Sequence, residues 1–254
     1  MPRWPNVLLL IPIALFLLLE ACPLDAQVRI RRNLTVDDGL AQSQVLTLFE
    51  DRDGYLWAGT NDGVSRFDGS TFTSFQSSHG LPPGPVRAVR QTADGALFFA
   101  TDRGVSILRD GRFVTPPVDS GLREGEVSSL AQAGDGTLYF VRPEGTVSIR
   151  HPDGRYERLE IRGLPPRPWL MAVLPARDGT LFVGGEAGGF EVRSGEARRV
   201  IEEPVFAIHQ ARDGTVRFGT QRGLTVPGGG PVPGIDGPVL HISEGSDGTL
   251  YLST

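Results

Sequence analysis

Residues 53–69 read DGYLWAGTNDGVSRFDG, and this stretch decides the fold. Three Asp-Gly pairs, which end at Gly54, Gly63 and Gly69, each mark a tight turn, because glycine adopts the positive φ that hairpin turns require. Short segments of β-forming residues lie between the turns, at 55–60 and 64–67. Similar segments flank them at 45–50 and 71–75. The stretch therefore predicts four short antiparallel strands joined by tight turns.

The same unit recurs through the rest of the chain. Asp-Gly pairs return every 34 to 43 residues, and their glycines are Gly54, Gly95, Gly136, Gly179, Gly214 and Gly248. An aliphatic residue stands two positions after each of these glycines: Leu56, Leu97, Leu138, Leu181, Val216 and Leu250. Five positions after most of them stands a small residue such as Gly59, which we expect where strands crowd near a central axis. Because one unit cannot bury both faces of its sheet, neighbouring units must stack with the aliphatic residues between them.

Four strands in a unit of about 41 residues is the period of a propeller blade. We therefore predict an all-β fold, a β-propeller of four-stranded antiparallel blades with about five and a half blades in an incomplete ring. Residues 27–254 form the predicted propeller domain, with units at 30–75, 76–117, 118–161, 162–202, 203–235 and 236–254. The short fifth unit leaves open the loss of one strand. The sixth stops in its second strand, so we expect a fragment of a longer protein, with a free-standing open propeller as the alternative.

Composition excludes several classes of protein. The 33 glycines and 20 prolines interrupt any long helix, and a net charge of −5 provides no basic surface for nucleic acid. A single cysteine rules out an intramolecular disulfide and a cysteine-based zinc site, and the four histidines lack metal-ligand spacing. We therefore expect no cofactor and no metal, and the sequence identifies no catalytic residue.

Residues 1–26 differ from everything that follows. Arg3 precedes a continuous apolar run at 7–19, which is shorter than the roughly 20 residues that span a bilayer. The pattern predicts a secretory signal peptide, and hence export to the periplasm or cell envelope of a bacterium. Two ends are open: cleavage after Ala26, or lipidation of Cys22 in a lipobox-like sequence.

Two tryptophans are candidate sugar contacts. Trp57 and Trp169 can stack on a sugar ring, but a core or blade-junction role is the stronger expectation for both. The sequence identifies no ligand-binding residue. The residues that define the repeat signature, for which we expect structural roles, are Gly54, Leu56, Trp57, Gly59, Thr60, Gly63, Gly95, Leu97, Gly136, Leu138, Gly179, Leu181, Gly214, Gly248 and Leu250.

The segment 39–72 resembles the repeat of the two-component regulator propeller family, most specifically at 53–60 and 63–69. Later units depart from it, since Phe98 and Tyr139 replace the tryptophan and Arg217 places a charge there. The resemblance implies a periplasmic sensor propeller without catalysis of its own, the N-terminal part of a histidine kinase or diguanylate cyclase. It also implies a small ligand, with a glycan fragment suggested by analogy, and a dimer in the parent protein.

Two other classes of function stay open at this point. One is an exported propeller lyase or hydrolase that acts on polysaccharides or other substrates, for which the sequence names no residues. The other is a structural adaptor propeller in a surface complex. An open reading frame that continues beyond Thr254 into a membrane span and a kinase would favour the sensor.

Overall fold

In the computed structural model, which describes residues 33–254, the chain forms five four-stranded antiparallel sheets followed by one two-stranded sheet. Within each sheet, strands that are consecutive in sequence are neighbours. The predicted all-β fold of four-stranded antiparallel blades is thereby confirmed. Three single 3-10 turns precede the first three sheets, at Val36–Asp38, Ser77–His79 and Val118–Ser120.

The strands are short and evenly distributed. The first sheet contains β1 (Val45–Glu50), β2 (Leu56–Thr60), β3 (Gly63–Phe67) and β4 (Phe72–Phe75). The second contains β5 (Val86–Gln91), β6 (Leu97–Thr101), β7 (Gly104–Arg109) and β8 (Arg112–Val114). The third contains β9 (Ser129–Gln132), β10 (Leu138–Val141), β11 (Val147–Arg150) and β12 (Tyr156–Leu159). The fourth contains β13 (Leu170–Pro175), β14 (Leu181–Gly185), β15 (Gly188–Arg193) and β16 (Glu196–Ile201). The fifth contains β17 (Val205–Gln210), β18 (Val216–Thr220), β19 (Gly223–Val226) and β20 (Gly230–Pro231), and the sixth contains β21 (His241–Glu244) and β22 (Leu250–Ser253).

The fifth sheet retains all four strands. Its fourth strand, β20, is present but only two residues long, and it pairs with β19 through Thr225 and Val226. Gly228 in the turn before it and Gly230, its first residue, both have positive φ, as a hairpin tip requires. The short repeat interval therefore shortens the outer strand and does not delete it.

The Asp-Gly turns are closed by the aspartate side chains. In the last four sheets, the aspartate accepts a hydrogen bond of 2.8 to 3.0 Å from the backbone N–H of the threonine two residues later. The threonines are Thr137, Thr180, Thr215 and Thr249. Because these bonds favour the charged carboxylate, they lower the pKa of Asp135, Asp178, Asp213 and Asp247.

The first strands of successive sheets are neighbours, in the order β1, β5, β9, β13, β17 and β21. They therefore form the innermost layer, and we call the space that they line the axial channel. Each of them begins after a connecting segment and ends at an Asp-Gly turn. The channel thus has a loop end, where the first strands begin, and a turn end, where they finish.

The small residues of the second strands lie where a neighbouring strand comes close. A Cβ atom on Gly59 would lie 2.5 Å from the carbonyl oxygen of Val86, and one on Gly184 would lie 2.4 Å from Cγ1 of Val205. Val86 and Val205 begin the first strand of the following sheet. The predicted crowding therefore occurs at these second strands, and the neighbour that leaves no space for a side chain is the innermost strand of the following sheet.

Apolar clusters fill the spaces between sheets, and they differ in size. The cluster between the second and third sheets contains eleven buried residues and the one between the third and fourth contains ten. The junction between the first two sheets has seven, including Trp57 and Leu97. The last two junctions have only three and four.

A polar clamp accompanies three of these five junctions. The backbone N–H of Arg52 donates to Oε1 of Gln91 in the next sheet at 3.0 Å, and its guanidinium donates to the carbonyl of Ala93 at 2.8 Å. Arg177 and Arg212 form equivalent bonds to the fifth and sixth sheets. Their backbone N–H groups donate to the side chains of Gln210 and Glu244, and their guanidinium groups donate to the carbonyls of Arg212 and Ser246. Ala93 and Gly134 occupy the arginine position at the two junctions with the largest clusters.

The first sheet exposes apolar side chains that its counterparts bury. Val45 is 40% exposed and Leu48 is 60% exposed, whereas the equivalent Val86 and Val89 of the second sheet are both 0% exposed. Val127 of the third sheet is also 0% exposed. The difference arises because a preceding sheet covers the later residues, whereas within residues 33–254 no sheet precedes β1.

Candidate functional site

The loop end of the axial channel carries the best candidate for a ligand site. In the fourth sheet, the segment before β13 is tied to the turn between β14 and β15: Glu186 N–H donates to the carbonyl of Trp169 at 3.3 Å, and Ala187 N–H donates to that of Pro168 at 3.4 Å. The segment before β13 and the turn between β14 and β15 therefore meet at one end of this sheet. Loops on a rigid scaffold commonly supply binding residues, so this end of the sheet is a candidate ligand site.

Trp169 is the exposed aromatic residue of this segment. Its side chain is 51% exposed, although the neighbouring Pro168 and Leu170 are buried. Its φ of 45° and the φ of 57° at Arg167 fall in the left-handed region, which bulky side chains rarely adopt. Strain of this kind persists only where the surroundings impose it, and it concentrates at functional sites. The fold therefore holds a tryptophan ring out into solvent, one residue before an innermost strand.

A cavity of about 660 Å³ lies at the same end of the next sheet. Its lining includes Glu202, Glu203 and Pro204 from the segment before β17, with Gln221 and Arg222 from the turn after β18. Pro204 holds the repeat position of Trp169, one sheet further on. One carboxylate oxygen of Glu203 is buried without a hydrogen-bond partner in the part of the chain that the structure describes. The cavity thus offers a charged acceptor, an amide and a guanidinium at the end of its sheet that corresponds to the position of Trp169 in the fourth sheet.

A second cavity, of about 390 Å³, lies at the outer edge of the third sheet. Its lining includes Arg142, Ser148 and Tyr156 from the sheet and Asp119 from the preceding 3-10 turn. The Arg142 guanidinium already donates to the carbonyls of Gly121 and Glu124. Burial raises the pKa of Tyr156. Because the Arg142 guanidinium is engaged and no channel strand contributes to it, this cavity is the weaker candidate.

The two tryptophans have different environments. Trp57 is 1% exposed, lies between the first two sheets, and donates from Nε1 to Oδ2 of Asp51 at 2.7 Å. It is a core residue and is not available to a sugar. Trp169 is at the surface, where the core role expected for it does not apply. The repeat register separates them, since Trp57 lies in a second strand and Trp169 precedes a first strand.

The residues of the repeat signature lie in turns and between sheets. Thr60 is buried, and its hydroxyl donates to the carbonyl of Gly63 at 3.1 Å. Leu97, Leu138 and Leu181 are buried in the clusters between sheets. Leu56 and Leu250 are partly buried. The turn glycines with positive φ are Gly54, Gly63, Gly95, Gly136, Gly179, Gly214 and Gly248.

The remaining predictions concern a metal site, the histidines and the N-terminal segment. Among residues 33–254, no three His, Cys, Asp or Glu side chains are grouped as a metal site would require. His151 and His209 each pair with a glutamate, Glu157 and Glu244. The predicted signal peptide at 1–26 and the lipidation candidate Cys22 lie outside the described residues. Over the described part, no helix combines the length and apolar character needed to cross a membrane.

Comparison with solved structures places the fold among the β-propellers. The extracellular domain of BT3049 from B. thetaiotaomicron, described as a hybrid two component system, aligns with a TM-score of 0.75 at 19% identity, over 88% of this chain and 34% of that one. Virginiamycin B lyase from Staphylococcus aureus aligns with a TM-score of 0.67 at 14% identity, over 87% of this chain and 80% of that one. At these identities the likeness shows the fold alone.

A family profile matches a shorter segment of the chain. The profile described as "Two component regulator propeller" matches residues 39–62, so this segment is a repeat of that family and the predicted resemblance is confirmed. "Histidine kinase P4" of Formosa agariphila is 43% identical over 47 residues, which are 18% of this chain and 3% of that protein. The chain thus spans a small part of the kinase and about a third of the BT3049 domain.

Proposed function

We propose that this chain is an extracytoplasmic ligand-sensing propeller and the N-terminal part of a two-component-type signal transduction protein, with no catalysis of its own. The observation that carries the proposal is the family repeat at residues 39–62, in a fold similar to the extracellular domain of a hybrid two component system. Export follows from the predicted signal peptide, and a dimer of the parent protein would transmit the signal.

The ligand site that we propose is the loop end of the fourth and fifth sheets. The exposed ring of Trp169 supplies a flat apolar surface for a sugar, and the cavity at the same end of the next sheet supplies the polar groups of Glu203, Gln221 and Arg222. This combination suits a glycan fragment, because a sugar ring presents an apolar face and a rim of hydroxyl groups.

Binding is tested on an array of neutral and acidic oligosaccharides, and the tightest ligand is then titrated calorimetrically. We expect Trp169→Ala to weaken binding at least tenfold, as truncation of a central aromatic contact does. Tyr251→Ala is the matched control, because Tyr251 is also exposed, at 55%, but lies in the sixth sheet. Full affinity in Trp169→Ala, or equal losses in both variants, would reject this site.

The fold of virginiamycin B lyase favours one alternative, an exported propeller lyase or hydrolase acting on polysaccharide or other substrates. A structural adaptor propeller is the other. Incubation of the purified protein with the same oligosaccharides separates these functions by mass spectrometry. Catalytic turnover of any oligosaccharide would favour an enzyme over a sensor. A failure to bind any oligosaccharide would favour the adaptor.

A further inference from the structure

The cavity of about 390 Å³ at the outer edge of the third sheet lies where that sheet departs from the packing of its neighbours. In the first, second and fourth sheets, a glycine of the connecting segment packs closely against the outer strand, and these glycines are Gly39, Gly80 and Gly163. A Cβ atom on each would lie 3.3 Å from Cβ of Phe72, 3.5 Å from Cβ of Phe113 and 2.9 Å from the carbonyl oxygen of Ala197, respectively. These contacts leave no cavity between the segment and the outer strand.

The third sheet lacks this contact. Tyr156 holds the repeat position of Phe72 in its outer strand, and Gly121 is the equivalent glycine. Among the described residues, however, a Cβ atom on Gly121 would have a single neighbour within 4 Å, the Oγ atom of Ser148 at 3.9 Å. The connecting segment therefore stands away from β12, and residues of both line the cavity.

Arg142 accounts for this departure. It follows β10 at the repeat position where the first, second and fifth sheets carry a threonine, namely Thr60, Thr101 and Thr220. Its guanidinium donates to the carbonyl oxygens of Gly121 and Glu124, at 2.5 and 2.6 Å. In the first sheet the corresponding carbonyl, that of Gly39, accepts a hydrogen bond of 2.7 Å from the hydroxyl of Ser74 in the outer strand. Arg142 thus replaces the outer strand as the partner of the connecting segment, and a cavity opens beside that strand.

Two polar side chains in the wall of the cavity are left with few partners. Ser148 and Arg158 are paired in register across β11 and β12, as Ser65 and Ser74 are in the first sheet. There Ser65 Oγ accepts a backbone N–H of the connecting segment at 2.8 Å and lies 2.7 Å from Ser74 Oγ. Within residues 33–254, the Ser148 hydroxyl makes no hydrogen bond, and the Arg158 guanidinium donates to Thr146 Oγ1 at 3.3 Å without meeting a carboxylate. Both groups are therefore available to a ligand.

The charges in the lining decide which ligands the cavity suits. Two guanidinium groups and three carboxylates contribute to it: Arg142, Arg158, Asp119, Glu144 and Glu157. A charged ligand of either sign would therefore meet like charges, which is unfavourable. Neutral hydroxyl groups both donate and accept, so they match guanidinium, carboxylate and hydroxyl partners together. The volume falls within the range of about 300–1,000 Å³ that is typical of small-molecule sites.

We propose that this cavity binds a neutral polyhydroxylated small molecule, such as a monosaccharide, through Ser148, Arg158 and Tyr156. The Ser148 hydroxyl and the Arg158 guanidinium supply hydrogen bonds, and the half-buried ring of Tyr156 supplies an apolar surface with a hydroxyl at its edge. The site goes beyond the sensing function proposed above, because it lies in the third sheet and shares no residue with the site around Trp169 and Glu203.

Ligand-observed NMR titration of the full chain with glucose, galactose, mannitol and myo-inositol tests the site, and phosphate and ammonium serve as charged probes. We expect saturable binding of at least one neutral polyol and none of the two ions. Ser148→Ala should weaken that binding about threefold to tenfold, as loss of one hydrogen bond does. Ser106→Ala is the matched control, because Ser106 is buried at the same repeat position of the second sheet, and it should bind within about twofold of the wild type.

Two further variants separate this site from a structural role and from the site around Trp169. Arg142→Thr restores the residue of the other sheets and releases the connecting segment, so binding should fall at least tenfold. Trp169→Ala should bind the polyol as the wild type does. Without ligand, Ser148→Ala should unfold at the wild-type temperature, because its hydroxyl makes no hydrogen bond within the described residues.

The inference is overturned if no neutral polyol binds, if only the ions bind, or if Ser148→Ala and Ser106→Ala bind equally well. It is also overturned if Ser148→Ala unfolds below the wild-type temperature without ligand. Loss of binding in Trp169→Ala, with full binding in Ser148→Ala, would assign the polyol to the other site and overturn this inference alone. The two proposals therefore fail separately.

Discussion

Asp51 and Trp57 form a buried pair whose energetic coupling can be measured. Asp51 accepts three hydrogen bonds: from Nε1 of Trp57 at 2.7 Å, from the backbone of Tyr55 at 2.9 Å, and from the backbone of Asp53 at 3.0 Å. Asp51→Ala removes all three and leaves the buried indole N–H without a partner. Since an unsatisfied buried donor alone costs about 1–3 kcal/mol, we expect the free energy of unfolding to fall by about 3 kcal/mol.

Trp57→Phe removes the donor but keeps an aromatic ring in the core. We expect it to cost about 1–2 kcal/mol through lost packing. In the double variant the aspartate is missing but no indole N–H is left unsatisfied, so the two losses should overlap by about 1–2 kcal/mol. The chain already contains this arrangement, because the third sheet has Ala133 with Tyr139 and the fourth has Ala176 with Phe182.

Urea unfolding followed by far-ultraviolet circular dichroism measures all four proteins, because fluorescence would be altered by the loss of Trp57. The double-mutant cycle gives the coupling energy directly. Additivity of the two single costs within about 0.5 kcal/mol would refute the view that the Asp51–Trp57 hydrogen bond stabilises the first turn.

Three further predictions use matched positions in the repeats. Gly59→Ala should lower the free energy of unfolding in urea by about 1–3 kcal/mol, because its Cβ would lie 2.5 Å from the carbonyl oxygen of Val86. Gly134→Ala should leave the free energy of unfolding unchanged, because nothing lies within 4 Å of its Cβ. Equal losses in the two variants would contradict the close approach of the blades. Val127→Ala should cost about 2 kcal/mol, and Val45→Ala less than half as much, because Val127 is 0% exposed and Val45 is 40% exposed; similar losses would show that Val45 is covered in solution. The turn aspartates have lowered pKa values, so their stabilisation is present above about pH 4 and is lost as the pH falls through their folded-state pKa. The unfolding temperature should therefore decline below about pH 4, and Asp178→Asn should decline less steeply; an identical slope would exclude Asp178 as a contributor.

The repeat made the blades predictable because its signals are local. An Asp-Gly pair sets a turn within four residues, and apolar residues at constant offsets set the two strands on either side. Gly59 shows the limit of this reasoning: its small size was readable, but the reason for it, the start of β5, lies in the next unit. A local sequence pattern indicates that a side chain must be small, but it does not indicate which neighbouring residue occupies the space.

The candidate sites depend on how the units are arranged in space. Trp169 is distinguishable from Trp57 once the register is applied, because the segment before a first strand opens onto the end of the channel. The cavity of the fifth sheet is different, because Glu203 and Arg222 lie on separate connections of that sheet and no spacing in the sequence encodes their approach.

The junctions between sheets respond to different conditions. Those around the third sheet depend on large apolar clusters, whereas the last two combine small clusters with arginine clamps. Apolar burial weakens on cooling, while hydrogen bonds to a charged guanidinium weaken in concentrated salt. Cold would therefore loosen the middle of the propeller first, and high salt its later sheets. Whether the chain opens at its centre or near its last sheet is then a property of the solvent as much as of the sequence.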